Sequence, residues 1–163
     1  MSKQLWAPWR MDYIKELDTP GCVFCQAAAA DENQKSEFRI LARRADEFVI
    51  LNKYPYTFGH ILICPVLHKK RLEDLSKENQ QSLFALAVDA QVALQNVLHP
   101  HGLNWGINIG KEAGAGIETH LHIHIVPRWV GDTNFMPVVA DCHIMPGHLN
   151  ELYTQLLTEF EKL

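Results

Sequence analysis

The sequence predicts an α+β fold in one domain spanning 1–163, a mainly antiparallel sheet with a long central helix and a C-terminal helix. Three observations carry this expectation. Short apolar runs are bounded by turn-forming residues, one segment repeats its apolar residues at helical spacing up to Leu98, and residues 119–126 alternate histidine with aliphatic side chains, the period of a strand. At 163 residues the chain can bury a core without staples. Apolar residues make up 47% and mean hydropathy is near zero, a globular composition. The formal charge of −4 leaves no basic excess, which argues against a partner such as long nucleic acid but not against small nucleotides.

Residues 1–20 mix Trp, Pro and charge without a period and are expected to form an arm anchored by Trp6 and Trp9. No stretch has the length of a membrane span or a secretory leader, so a cytoplasmic location and no membrane partner are expected. Residues 38–42 and 48–52 read as strands joined by a short polar turn, a hairpin. After a loop with Pro55 and Gly59, the apolar run 60–64 reads as a strand buried on both faces and ended by Pro65. Ser76 can cap a helix whose Leu83, Leu86, Ala87, Ala90, Leu94 and Val97 share one face, with 99–102 as its stop. Residues 105–109 read as a strand, and 110–116, rich in Gly, as a flexible turn into the histidine strand. Leu149, Leu152, Leu156, Leu157 and Phe160 give 147–162 a helical period.

Alternation puts His120, His122 and His124 on one strand face and Leu121, Ile123 and Ile125 on the other. Three imidazoles in a row are a poor packing solution, because each buried ring nitrogen needs a partner. A solvated face would more simply use Thr, Lys or Glu. A neutral imidazole is a good nucleophile near pH 7, so a ring flanked by two others can attack phosphorus and hold the adduct. The central His122 is the expected nucleophile, with His120 and His124 orienting it or contacting phosphate oxygens. The glycines upstream would let backbone N–H groups approach those oxygens, although the same residues also suit an ordinary hairpin turn. A catalytic metal shared by all three is disfavoured, since i and i+4 on a strand lie roughly 13 Å apart.

These residues, together with Asn52, the Gly59–His60 segment through Pro65, Asn108, Glu112-Ala113-Gly114, Pro127-Arg128 and Gly131-Asp132, resemble the histidine-triad (HIT) family over residues 38–135. The resemblance implies an antiparallel sheet with a central helix, usually in a homodimer. Asn52-Lys53-Tyr54-Pro55 resembles the fragile-histidine-triad branch. The Leu5 to Arg10 segment and the 132–137 stretch resemble diadenosine tetraphosphate phosphorylase-like members. The implied substrates are dinucleoside polyphosphates. His122 would attack the α-phosphorus to form a nucleotidyl-histidine, with His124 at the phosphates and His60 hydrogen-bonded to His120. Asn52 would reach the ribose and Asn108 the phosphate or leaving-group side. Water as second acceptor gives a hydrolase and inorganic phosphate a phosphorylase. Gly116 and Ile117 stand where related members often carry Gln followed by Ser or Thr, so backbone N–H groups of Gly114, Gly116 and Ile117 are expected to serve instead. The altered turn also keeps a nucleotide-binding or sensing module with little turnover as an alternative.

Cys22 and Cys25 have the spacing that lets two thiolates bind one Zn²⁺. His68 and His120 are the candidates to complete the set, as in several bacterial histidine-triad proteins that this chain resembles. A structural zinc is the expected cofactor, with free thiols and a redox pair as the other readings, and zinc on His120 would compete with a bond to His60. Cys64 and Cys142 are expected to pack as small apolar residues and His99, His101, His143 and His148 to be solvated. Asp132 and Asn134 could reach the site or cap a turn.

Overall fold

The computed structural model of the protein describes residues 21–132 and 147–163. The expected arm with Trp6 and Trp9, and Asn134, Cys142 and His143, lie outside the described residues. The described elements run α1 (Val23–Ala29), β1 (Ile40–Arg43), β2 (Glu47–Leu51), β3 (Ile61–Pro65), α2 (Lys77–Leu98), β4 (Gly102–Gly106), β5 (Ile123–Arg128) and α3 (Leu149–Phe160). The strands form one sheet in the order β1-β2-β3-β5-β4, every neighbouring pair antiparallel. Among the described residues no helix is long and apolar enough to cross a membrane.

Strand alternation sorts the side chains onto two faces. Val49, Leu51, Ile61, Ile63, Leu121, Ile123 and Ile125 pack with Leu83, Leu86, Ala87 and Leu94 of α2 and Leu152, Leu156 and Phe160 of α3. Each fully buried leucine there contributes about 1.5–3 kcal/mol. The opposite face carries Ile40, Phe48, Ile50, Leu62 and Cys64, packed against Phe24 and Ala27 of α1. An irregularity in the β1–β2 register between Ile40 and Ala42 places Leu41 and Ala42 together on the α2 side.

The hairpin forms as expected, closed by the Arg44 N–H donating to the Glu47 carbonyl at 2.8 Å. The strand at 61–65 is buried on both faces, with Cys64 a small apolar residue of the core. Ser76 caps α2, its Oγ accepting from the Asn79 N–H at 3.1 Å, an interaction worth about 1 kcal/mol. His99 ends the helix at a left-handed φ of 45°. His99, His101 and His148 are exposed.

Three expectations need correction. The fourth strand is Gly102–Gly106 rather than 105–109. Because α2 stops at Leu98 and the His101 N–H already donates to the Arg128 carbonyl, pairing with β5 starts three residues earlier and releases Asn108 into the following loop. β5 begins at Ile123, so His120 and His122 stand in a lead-in before it, with a bend at His120. That lead-in is held by the Leu121 N–H donating to the Lys69 carbonyl at 2.6 Å. Helix α1 was not anticipated, because seven residues with an alanine run show too little period to read.

Gly59 links this frame to the site beside it. It has φ +81°, and a Cβ there would overlap Leu98 Cδ1 and press on Pro127. Gly59→Ala should therefore destabilise the fold by about 2 kcal/mol or more. Urea denaturation of the two chains measures the loss.

Candidate active site

The β3–β5 register sets Leu62 opposite His124, which brings His60, two residues earlier and just before β3, diagonally against the His124 ring. His60, His120, His122 and His124 are all buried, at 0%, 1%, 6% and 7% exposure, which excludes a solvated strand face. Their protons are ordered by the main chain. The Tyr56 N–H donates to His60 Nδ1 at 3.1 Å, and the Asn52 Nδ2 group lies 3.1 Å from the same nitrogen. A peptide N–H can only donate, so His60 Nδ1 holds a lone pair and His60 Nε2 carries the hydrogen. That Nε2–H donates to His124 Nδ1 at 2.9 Å, which leaves the other His124 hydrogen on Nε2. His124 Nε2 is buried without a hydrogen-bond partner among the described residues. A buried donor left unmade costs about 1–3 kcal/mol, a cost that an anionic oxygen arriving at this N–H removes.

His122 is ordered the opposite way. Its Nδ1 lies 2.8 Å from the His120 carbonyl, an obligate acceptor, so Nδ1 carries the hydrogen and Nε2 the lone pair. The His122 and His124 rings meet edge on, centroids 4.8 Å apart. A nucleophilic nitrogen and a hydrogen-bond donor therefore stand side by side on neighbouring rings.

Burial, helped by His124 and His122, pushes the His60 pKa down to about 3, and burial with His122 holds that of His124 down to about 4. Burial also lowers His122, against the pull of the His120 carbonyl. The cluster is neutral at pH 7, which keeps the His122 lone pair free for attack.

The expected bond from His60 to His120 is not formed. The register carries His60 to His124, while His120 lies four residues toward the opposite end of the histidine run, beside Pro65. His120 Nε2 donates to the Pro65 carbonyl at 2.8 Å and turns Nδ1 toward Cys22 Sγ (3.4 Å) and Cys25 Sγ (3.5 Å). Cys25 Sγ is also 3.1 Å from His68 Nδ1, and the four donor atoms lie within 4.8 Å of one another. A tetrahedral ion bound at about 2.3 Å to sulfur and about 2.0 Å to nitrogen spaces its ligands by roughly 3.5 Å. The Cys22, Cys25, His68 and His120 group could thus hold a metal. The Pro65 carbonyl fixes the ligating tautomer of His120. Burial and the Cys22 sulfur push the Cys25 thiol up.

Asn108 donates to the Gly114 carbonyl and to the Tyr56 hydroxyl, each at 3.4 Å. Gly114 adopts φ +84°, Gly116 faces open space, and Ile117 packs on the apolar cluster under α1. The expected Gly114 N–H is taken, donating to the Lys111 carbonyl at 2.9 Å as the turn closes, whereas the N–H groups of Gly116 and Ile117 meet no acceptor among the described residues. Asp132 instead holds Arg128, at 2.5 and 3.0 Å.

Two site residues escape a reading of the sequence. The Tyr56 ring lies 4.6 Å from that of His60 and stacks within 14° of His124 at 5.6 Å, while its N–H sets the tautomer chain. Phe24 packs on both His120 and His122. Their signals were the four-residue steps from Asn52 to Tyr56 to His60, and the place of Phe24 inside the Cys-x-x-Cys motif.

A buried, neutral histidine run beside a metal-competent Cys2His2 group on an antiparallel sheet defines the class of protein, and known proteins share it. The family model described as HIT domain matches residues 33–130. AP-4-A phosphorylase of Mycobacterium tuberculosis is 33% identical over 166 residues, covering 98% of this chain and 85% of that relative. Bis(5'-adenosyl)-triphosphatase of Dictyostelium discoideum is 36% identical over 81 residues, 50% of this chain and 54% of the relative. A Zn-bound histidine triad family protein from Mycobacterium smegmatis superposes with a TM-score of 0.67 at 26% identity, covering 87% of this chain and 94% of that one. The chain belongs to the histidine-triad (HIT) family.

An imidazole titrates near 6.5 when the chain is unfolded, whereas folded His60 and His124 stay neutral down to about 3 and about 4. Below 6.5 the unfolded chain binds protons that the folded chain refuses, so stability is full above that pH and falls as pH drops toward 4. The urea midpoint should be lower at about pH 4.5 than at about pH 7.5. The decline should be shallower in His60→Gln.

Proposed function

We propose that this chain cleaves dinucleoside polyphosphates by transferring a nucleotidyl group to His122 Nε2. The observation that carries this reading is the opposed ordering of two neighbouring rings, a lone pair on His122 Nε2 beside an unpaired N–H on His124 Nε2. His122 attacks the α-phosphorus, a P–N bond forms, and the bridging P–O bond breaks with its electrons passing to the leaving phosphate. At neutral pH that phosphate departs as an anion, stabilised by the hydrogen bond from His124. Nδ1 of the adduct keeps its hydrogen on the His120 carbonyl, so the positive charge on the ring is partly offset. A second acceptor then attacks the same phosphorus and frees His122. In this reading His60 holds the His124 tautomer, Asn52 reaches the ribose, and Asn108 with the free N–H groups of Gly116 and Ile117 meets the phosphates, Gly114 contributing its turn while its own N–H stays on the Lys111 carbonyl.

The relatives support both acceptors. The Mycobacterium tuberculosis relative, aligned over 98% of the chain, is named a phosphorylase, which favours inorganic phosphate, while those named triphosphatase and asymmetrical tetraphosphatase align over 50% and 63% of the chain. Incubation with diadenosine tri- and tetraphosphate separates them: ADP formed only with added phosphate means phosphorolysis, and AMP formed without it means hydrolysis. His122→Ala and His122→Asn should abolish the covalent adduct and reduce turnover by about 1,000-fold or more, with nucleotide affinity retained. Unchanged turnover in either variant would overturn the mechanism, and tight mononucleotide binding by a wild-type chain that turns over nothing would favour the sensing module.

The metal is proposed to be Zn²⁺, held by Cys22, Cys25, His68 and His120 in a structural role, since two thiolates and two imidazoles complete its tetrahedral shell and leave no position for water. Bound there, the ion neutralises the thiolates and ties the histidine lead-in to α1. A reducing cytoplasm is the compartment in which such a thiolate pair persists. The edge strand β4, with Trp105 37% exposed, is the surface on which a homodimer would be built. Elemental analysis of untagged protein should find about one zinc per chain, lost in Cys22→Ser.

A further inference from the structure

Helix α1 has only seven residues, too few to hold its shape alone. Its position depends on what ties its ends. At the C-terminal end the Arg43 guanidinium donates to the carbonyls of Ala27 and Ala30, at 2.7 and 2.9 Å. The N-terminal end has no side-chain cap, and its first turn is held through Cys22 and Cys25, whose sulfurs face His68 and His120.

Phe24 sits between those two cysteines and is 2% exposed. Its ring centroid lies 5.3 Å from that of His120, edge on at 70°, and 4.9 Å from that of His122, tilted by 49°. The hydrogen bond from His122 Nδ1 to the His120 carbonyl fixes one point of the nucleophilic ring and leaves its tilt about that point open. Phe24 and His124, the two aromatic neighbours of that ring among the described residues, set the tilt and hence the direction of the Nε2 lone pair.

We propose that Phe24 is a positioning residue that couples the Cys22, Cys25, His68 and His120 group to His122. When those four donors are drawn together on Zn²⁺ the first turn of α1 is fixed, and the Phe24 ring passes that order on as the orientation of the nucleophilic imidazole. The metal group then governs the alignment of the reacting nitrogen as well as the integrity of the fold. This inference rests on the reading of His122 as the nucleotidyl acceptor, and its test is chosen to be independent of turnover.

The test is the ¹⁵N correlation spectrum of histidine-labelled, full-length protein at pH 7, wild type and Phe24→Leu, each zinc-loaded and chelator-stripped. A ring free to tilt loses the aligned Nδ1–H bond to the His120 carbonyl and with it the single tautomer, and ring ¹⁵N shifts, which follow protonation far more than neighbouring ring currents, report that loss. Zinc-loaded wild type should show His122 wholly as the Nδ1–H form, and stripping should average its two nitrogens. Phe24→Leu should keep about one zinc per chain, show averaged His122 nitrogens even when loaded, and change little more on stripping. Its kcat should fall about 10- to 100-fold with KM within about twofold. A loaded Phe24→Leu chain with wild-type His122 signals overturns the proposal, as does one that responds to stripping as fully as wild type. If stripping unfolds the chain, the two loaded proteins decide the matter alone. A chain that shows the coupling but forms no nucleotidyl adduct upholds Phe24 and refutes the proposed reaction.

Discussion

The Tyr56 N–H donates to His60 Nδ1, and the direction of that hydrogen bond is inherited by the imidazoles beyond it. Because a peptide N–H cannot accept, His60 must donate to His124, and His124 must present its remaining hydrogen outward. The His120 carbonyl imposes the reverse order on His122. Imidazoles are amphoteric and could share their protons in several ways; fixed main-chain groups remove that freedom. The low dielectric around the cluster then keeps the rings neutral.

This ordering depends in turn on the pairing of β3 with β5. A slip of β5 by one residue would send His124 to the face filled by α2 and α3, away from His60. The aliphatic residues alternating with the histidines prevent it, since Leu121, Ile123 and Ile125 are committed to the large core. The same register resolves the competition for His120. With His60 engaged by His124, His120 gives one nitrogen to the Pro65 carbonyl and the other to the cysteine pair.

Much of the frame is legible in the sequence because it rests on local signals. The Ser76 cap and the apolar period behind it delimit α2, and alternation separates the histidine face from the core face. The spacing of Cys22 and Cys25 marks the thiolate pair, and the resemblance to the histidine-triad family adds His68 and His120, the candidates that the fold gathers beside it. What escapes is set by long-range geometry. The partner of His60 follows from strand register, which no local pattern encodes. The start of β4 follows from where α2 happens to stop. Tyr56 and Phe24 look like ordinary aromatic residues until the rings they touch are in place, and the Tyr56 contribution to proton order comes from its main chain, which its residue type does not reveal.

The two faces of the sheet are covered unequally. Among the described residues one lies under helices of 22 and 12 residues, the other under α1, which has seven. Local opening follows the weakest cover, so the face that carries the histidines can open while the larger core stays closed. Exchange of the buried amides would follow two regimes, a global one for β2 and β3 and a shallower one for α1 and the lead-in to β5. Part of the local stability of the histidine face is thereby entrusted to a handful of polar atoms instead of buried area, and it answers to solution chemistry in a way the larger core does not.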